Sequence, residues 1–511
     1  MALFCAALLA GCAVLPARNP ATQRVAAAGK LPASAQQLGV VGASGRLSAT
    51  ARQRVLARLA AEGRNDLLSR HLAVMGEAGD VDLYAGNDVK LLVDGPATFT
   101  AMFADIEAAR RSVYLESYIV EDQAIATQMA DLLIRKRQQG LDVRMIYDSV
   151  GSISTSADYF KRLKDQGVPV CSFNPLNPLE RPGYWDISHR DHRKILTVDS
   201  AMAYTGGINI SEVYSAGSGA SGGSLKGRKR SSARPPAAAA STPQATLPEA
   251  TPAGPAASGA ASLVVPPAPP DEGWRDTQVR IKGPAAGAFE SLVRQTWASQ
   301  GCEPAMAASA GEPAAPAVAA SAPRPPPAGN KVVRVIPASP DDAESRIYAA
   351  LLSAIDASQR SVHLTMAYFA PGPDMIDALA EAARRGVEVQ LVLPSVSDFS
   401  PVLHAGRAHY TQLLKAGVRI HELQDALLHA KTAVIDGVVS TVGSSNLDWR
   451  SFTANNEVNA VVLGDDFGRE METMFLRDVA ASQAITLADW RRRPVDQRLK
   501  EWFATLLERW W

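Results

Sequence analysis

The chain has 511 residues with 52 basic and 52 acidic side chains, a formal net charge of zero. That balance argues against a protein that coats nucleic acid, since such binding rests on a basic surface. The length favours two or three domains with sizeable cores. The cysteines Cys5, Cys12, Cys171 and Cys302 form no C-x-x-C pair, which argues against a zinc ribbon and a disulfide scaffold. No apolar run is long enough to span a bilayer.

Residues 1–12 are apolar and uncharged and end in Leu9-Ala10-Gly11-Cys12. A small-residue stretch closing on cysteine resembles a bacterial lipoprotein signal, although the usual opening Lys or Arg is missing. Cys12 is therefore expected as a lipid anchor, holding the chain at a membrane surface, periplasm-facing, without a spanning helix. Residues 13–80 are expected to form an N-terminal helical arm. A first domain follows over 81–302, interrupted from about 215 to 271 by an insert of Ala, Pro, Ser and Gly that cannot bury a core. Within it Gly217 to Gly222 matches G-x-G-x-x-G, but the match neither follows a strand nor opens a helix. The basic run Lys226 to Arg234 reads as a solvated linker cluster. A second low-complexity stretch, 303–330, leads to a second domain over 331–511. Both stretches are expected to be disordered.

With those stretches removed, the chain repeats itself. Arg111-Ser112-Val113 and Arg360-Ser361-Val362 each open an apolar run. The segments around Gly140 and Gly386 each carry a helix-period stretch into a β-branched strand. Helix, turn and strand in repeated order predict an α/β class: two tandem domains built of parallel β-α-β units, each a sheet flanked by helices, related by a pseudo-twofold duplication.

The strongest repeat carries chemistry. His192-Arg-Lys194 leads through an alternating strand to Asp199, then Gly206-Gly207-Ile-Asn209. At the same spacing, His429-Ala-Lys431 leads to Asp436, then Gly443-Ser444-Ser-Asn446. His and Lys two apart on a strand share one face. The pattern H-x-K-x4-D-x6-G-[GS]-x-N resembles the signature of the phospholipase D superfamily, and the likeness covers roughly residues 80–511 apart from the linkers. An anionic phosphodiester needs its charge neutralised, which Lys194, Lys431 and the amides of Asn209 and Asn446 can do without a metal or cofactor. One imidazole can attack phosphorus to give a phosphohistidine while the other protonates the leaving alcohol. The resemblance implies His192 as nucleophile and His429 as acid/base. Asp199 and Asp436 belong to the catalytic signature but read as structural within it.

Each imidazole also needs an acceptor for its second nitrogen. Glu457, after Asn455-Asn456, leads into a strand, as does Asp276 after Arg275. Asp276 lies farther from its motif than Glu457 does, by about the length of the insert. The two are therefore expected to be equivalent carboxylates that orient the histidines. His189 reads as a pocket or loop residue, because no carboxylate or cysteine is spaced with it for a metal. Glu116 resembles a family-typical pocket residue. Trp185, Trp274 and Trp449 read as core, with a lipid-facing rim as the alternative.

Segments such as Leu115-Glu116-Ser117-Tyr118 and His189-Arg-Asp-His192-Arg-Lys194 resemble bacterial cardiolipin synthase. The resemblance implies phosphatidyl transfer between phospholipids, with phosphatidylglycerol and, as a further donor, phosphatidylethanolamine as substrates. Water in place of the acceptor alcohol would make the same site a phospholipase D. A nuclease is disfavoured by the zero charge. One chain suffices for one active site. The C-terminal run from Trp490 to Trp511 is basic, aromatic and amphipathic, which suits either a membrane interface or a helix packed on the second domain.

Overall fold

The computed structural model describes residues 37–62, 67–77, 82–177, 179, 186–218, 273–306, 328–342, 344–424 and 426–507. Cys12, Trp185, nearly all of the insert, most of the linker and the last four residues lie outside that set.

Two half-sheets of matching order build the centre. The first comprises β1 (Leu83–Val93), β2 (Ser112–Ser117), β3 (Asp142–Asp148), β4 (Val170–Phe173), β5 (Lys194–Val198), β6 (Met202–Gly206) and β7 (Thr277–Lys282). Its spatial order is β4-β3-β2-β5-β6-β7-β1. The second comprises β8 (Lys331–Ala338), β9 (Ser361–Met366), β10 (Glu388–Pro394), β11 (Arg419–Leu423), β12 (Lys431–Ile435), β13 (Val439–Gly443) and β14 (Asn455–Leu463). Its order, β11-β10-β9-β12-β13-β14-β8, repeats the first strand for strand. The β1 and β8 edges pair antiparallel, from Leu83↔Arg334 to Lys331↔Asn87, so both halves belong to one 18-stranded sheet.

The sheet is mixed, with the expected parallel β-α-β units forming one side of each half. Within the two half-sheets β2-β3-β4 and β9-β10-β11 run parallel, each joined by helices such as Ala124–Gln138 and Pro373–Arg384. The latter opens on Pro373 and is followed by Gly386 at φ 89°, the usual punctuation of a helix. The motif strands β5-β6 and β12-β13 are hairpins instead. Asp199 and Ser200 (φ 55° and 56°), and Asp436 and Gly437 (φ 56° and 71°), supply the paired left-handed residues that a tight hairpin demands.

Helices Ala285–Ser299 and Asp465–Ala480 cover one face across both halves. They bury Phe289, Trp297, Phe467 and Met471 against β-branched side chains of both half-sheets. Segment 13–80 contains, where described, a short hairpin (Val40–Gly42, Gly45–Arg46) and helices Ala49–Glu62 and Leu67–Glu77. Leu56, Leu59, Leu68 and Leu72 of these helices join the core of the second half, with Tyr348 and Ile355. Cys171 on β4 is bonded to Cys302, a single crosslink between residues 131 apart that the cysteine spacing did not suggest.

Candidate active site

The motif residues of each half lie at one end of its half-sheet. Lys194 starts β5 opposite Ser117 at the end of β2, and Lys431 starts β12 opposite Met366 at the end of β9. Two short parallel bridges then bring the halves together. Arg190-Asp191 pairs with Asn455-Asn456, and Trp274-Arg275 pairs with Leu427-Leu428. Each bridge lays the approach to one histidine beside the other half's carboxylate strand. The His192 N–H donates to the Asn456 carbonyl at 3.0 Å, and the His429 N–H to that of Arg275 at 2.8 Å.

The orienting carboxylates therefore cross over. His192 Nδ1 lies 2.9 and 3.1 Å from the two oxygens of Glu457. His429 Nδ1 lies 2.8 Å from Asp276 Oδ2. Asp276 and Glu457 do occupy equivalent positions, but each serves the histidine of the opposite half. With Nδ1–H committed to a carboxylate, Nε2 keeps its lone pair for chemistry. All four side chains are buried.

Burial sets the charge states. It pulls the His192 imidazole down to about 4, outweighing the raising effect of Glu457. It lowers His429 too, helped by Lys431 and opposed by Asp276. Lys194 is brought down to about 7 and Lys431 to about 8, again mainly by burial. Burial alone would raise Glu457, but His192, Lys194 and the Ser444 hydroxyl outweigh it and lower the carboxyl. The resting site thus holds a neutral His192 against an ionised Glu457. Each lysine ammonium donates to the carbonyl of its own motif histidine, which fixes the i and i+2 pair as one unit.

Several contributors carry no repeat that a sequence reading could catch. Tyr118 stands edge-on to His192 at 4.9 Å between ring centroids, and Lys194 Nζ lies 5.0 Å from its ring. The Tyr214 hydroxyl lies 3.2 Å from His429 Nδ1 and accepts from Asn209 Nδ2 at 3.2 Å. Asn209 Oδ1 accepts from the Ile119 N–H at 3.1 Å, so both ends of this amide have internal partners. Asn446 Oδ1 is buried with no hydrogen-bond partner among the described residues. Trp274 packs 5.1 Å from His429, within the site, whereas Trp449 packs partly buried on the second-half core. His189 Nε2 bonds Asn456 Oδ1 at 2.9 Å and so supports the first bridge. Glu116 is fully buried beside Arg193 at 3.9 Å.

Asp199 and Asp436 stand apart from the histidines. Asp199 accepts from the backbone N–H groups of Arg110, Arg111 and Ser112, and Asp436 from those of Gln359, Arg360 and Ser361. Each ties its hairpin to the start of the neighbouring strand. Asp436 also bonds His71 Nε2 at 3.0 Å, a contact with no counterpart at Asp199 among the described residues.

Comparison with known proteins agrees with this geometry. The family model described as "Cardiolipin synthase, PLD-like domain" matches residues 102–215 and 351–479, one segment in each half. A cardiolipin synthase of Geobacillus kaustophilus (strain HTA426) is 28% identical over 418 residues, 82% of this chain and 71% of that protein. Cardiolipin synthase A of Pseudomonas putida is 29% identical over 425 residues, 82% of this chain and 74% of that one. The crystal structure of phosphatidylserine synthase from Haemophilus influenzae Rd KW20 shares the fold, with a TM-score of 0.56 at 11% identity. That match covers 85% of this chain and 98% of that one.

Gly207 offers a test of the crossing. A Cβ there would sit 2.2 Å from Asp276 Oδ1, whereas the equivalent Ser444 donates its hydroxyl to Glu457. Gly207→Ala is expected to displace Asp276 from His429 and lower kcat about 100-fold or more, the order of a lost general acid–base contribution. Steady-state kinetics on folded variant would show this, and an unchanged kcat would remove Asp276 from the orienting role.

Proposed function

Because the chain belongs to the family of phospholipase D-like domains described as cardiolipin synthase, we propose that it makes cardiolipin by phosphatidyl transfer through a phosphohistidine. The observation that carries this reading is the crossed pair of imidazoles, each held by a carboxylate at Nδ1 with a lysine beside it. His192 Nε2 attacks phosphorus of one phosphatidylglycerol, and the phosphorus–oxygen bond to the head alcohol breaks. His429 gives that alcohol its proton and glycerol leaves. A hydroxyl of a second phosphatidylglycerol then loses its proton to His429 and attacks phosphorus, freeing His192 and giving cardiolipin. Phosphatidylethanolamine can enter as an alternative donor by the same first step.

The charge balance suits that cycle. A neutral His192 is the nucleophilic form, and the low value set by burial keeps it neutral across the physiological range. A bound phosphodiester brings a negative charge between Lys194 and Lys431. That charge favours the ammonium form of both lysines and the protonated form of His429. The lysines stabilise the oxygens of the five-coordinate transition state in a site from which water is largely excluded. Asn209 and Asn446 complete the phosphate-binding set. Asn209 acts mainly through the Tyr214 hydroxyl that it holds against His429.

The substrates lie in a bilayer, and the C-terminal helix Val495–Leu506 supports membrane docking. It packs through Glu501 and Ala504, while Val495, Leu499, Trp502, Phe503 and Leu506 lie on its outer face, each more than half exposed. That spacing is one apolar stripe, with Arg491, Arg492, Arg498 and Lys500 available for anionic headgroups. No helix among the described residues is long and apolar enough to cross a membrane. A lipidated Cys12 would supply a second attachment, and two weak anchors together give stable binding. The Cys171–Cys302 bond supports a periplasm-facing location, since such crosslinks persist in oxidising compartments.

The two histidines can be told apart with a donor whose leaving group needs no proton. With phosphatidyl-p-nitrophenol, His429→Asn is expected to release about one equivalent of nitrophenolate and stall with a phosphatidyl group on His192, whereas His192→Asn releases none. A burst from His192→Asn and none from His429→Asn would reverse the assignment. With the unaltered protein, labelled phosphatidylglycerol is expected to give cardiolipin and glycerol; phosphatidic acid alone would make it a hydrolase. Separately, Leu499→Glu combined with Trp502→Glu is expected to reduce co-sedimentation with phosphatidylglycerol vesicles at least tenfold. Undiminished binding would exclude this helix as the docking element.

A further inference from the structure

Around the first bridge, three carboxyl groups that the transfer chemistry does not use meet the guanidinium groups of Arg190 and Arg193. Glu116 lies near the end of β2, Asp148 ends β3, and Asp191 sits in the bridge directly before His192. All three are fully buried. Asp148 is well supplied with donors. Its Oδ1 accepts from the N–H groups of Val150 and Gly151, and its Oδ2 from that of Asp191, each at 2.9 Å, with Arg190 Nη1 at 3.6 Å. Burial pushes this carboxyl up, but four such partners suit a carboxylate. Glu116 and Asp191 have no comparable set. Glu116 Oε1 has the Thr296 hydroxyl at 3.5 Å and Arg193 Nη1 at 3.9 Å. Glu116 Oε2 and both oxygens of Asp191 are buried with no donor among the described residues. The two side chains stand instead in hydrogen-bond contact with each other, which requires a proton on one of them.

Fully ionised, Glu116, Asp148 and Asp191 would set three negative charges against two arginines in a setting closed to water. One retained proton restores the balance, and two carboxylates in buried contact cannot both ionise. The other charged groups facing the pair are Lys194, on the motif strand, and Glu457, across the bridge on His192; these two offset each other. Burial holds Asp191 well above the usual carboxylate range, with Glu116 adding to the effect and Arg193 opposing it. We propose that Glu116 and Asp191 hold one proton in common, and that the hydrogen bond so formed positions His192 by fixing the bridge strand that carries it. The bond ties that strand to β2, whose next residues, Ser117 and Tyr118, face Lys194 and His192. Neither carboxyl touches the reacting atoms, so both are positioning residues. The inference stands on the folded site and does not depend on which acceptor takes the phosphatidyl group.

Infrared difference spectra of the full chain near neutral pH, unaltered minus Asp191→Asn, are expected to show the C=O band of one protonated carboxyl group, shifted by exchange into D2O. Glu116→Gln is expected to lack the same band, because either amide supplies the bridging hydrogen permanently. Stability gives a second readout. A carboxyl whose pKa is raised by folding lets the native state bind more protons than the unfolded chain, so its contribution to stability falls as pH rises above the unfolded value of about 3.9. The Tm of Asp191→Asn minus that of the unaltered protein is therefore expected to increase from about pH 5 to about pH 7. For position, the Nδ1–H signal of His192 in 15N-histidine-labelled protein is expected to be retained in Asp191→Asn and displaced or lost in Asp191→Leu, which can donate nothing. Absence of the infrared band, a Tm difference that is flat or falls with pH, or a His192 signal unmoved by Asp191→Leu would overturn the proposal.

Discussion

One geometric requirement governs this molecule: each catalytic-motif imidazole must give its Nδ1 proton to a carboxylate carried by the other half. His192 meets Glu457, and His429 meets Asp276, at hydrogen-bonding distance in a buried setting. Neither half could make a working pair alone. The β1–β8 edge pairing, the two short parallel bridges and the Arg275–Asp478 ion pair all serve to hold the halves in that relation. The helices Ala285–Ser299 and Asp465–Ala480 bury their apolar faces against strands of both halves, so the core packing and the two imidazole–carboxylate pairs share one interface.

The same burial that orients these groups also sets their reactivity. A solvent-exposed imidazole would be partly protonated near neutrality, whereas His192 is held neutral. Two lysines sunk in the site are weakened as cations by burial, and in the proposed reaction their positive charge is expressed most fully when a phosphate is bound. The motif aspartates work on another level. Asp199 and Asp436 stitch a hairpin turn to the first residues of the adjacent strand, and so position the lysine-bearing strands β5 and β12 without touching the imidazoles.

Much of this was legible in the chain. A duplicated His-x-Lys pattern with matching Asp and Asn spacing exposes both the tandem halves and the reactive groups, because strand geometry dictates which residues share a face. The insert between Asn209 and Asp276 could be subtracted by length, which made Asp276 and Glu457 equivalent. Their crossing could not be read, since a repeat gives equivalence but not which copy a residue faces. The parts played by Tyr118 and Tyr214 were hidden for a related reason: each comes from packing on a motif imidazole, Tyr214 across the halves, and an aromatic in a strand or short turn is ordinarily core. The antiparallel hairpins were hidden because apolar strand runs do not announce direction. The packing of the N-terminal helices on the far half, and the Cys171–Cys302 bond, depend on contacts between residues remote in sequence.

The crossed pairing is best tested at the imidazole nitrogens themselves. With 15N-labelled histidine, the Nδ1–H signals of His192 and His429 can be assigned by substituting each residue in turn. Glu457→Gln is predicted to shift the His192 Nδ1–H resonance strongly and to leave that of His429 nearly unmoved, with Asp276→Asn doing the reverse. A Glu457→Gln protein in which His429 responds and His192 does not would contradict the account.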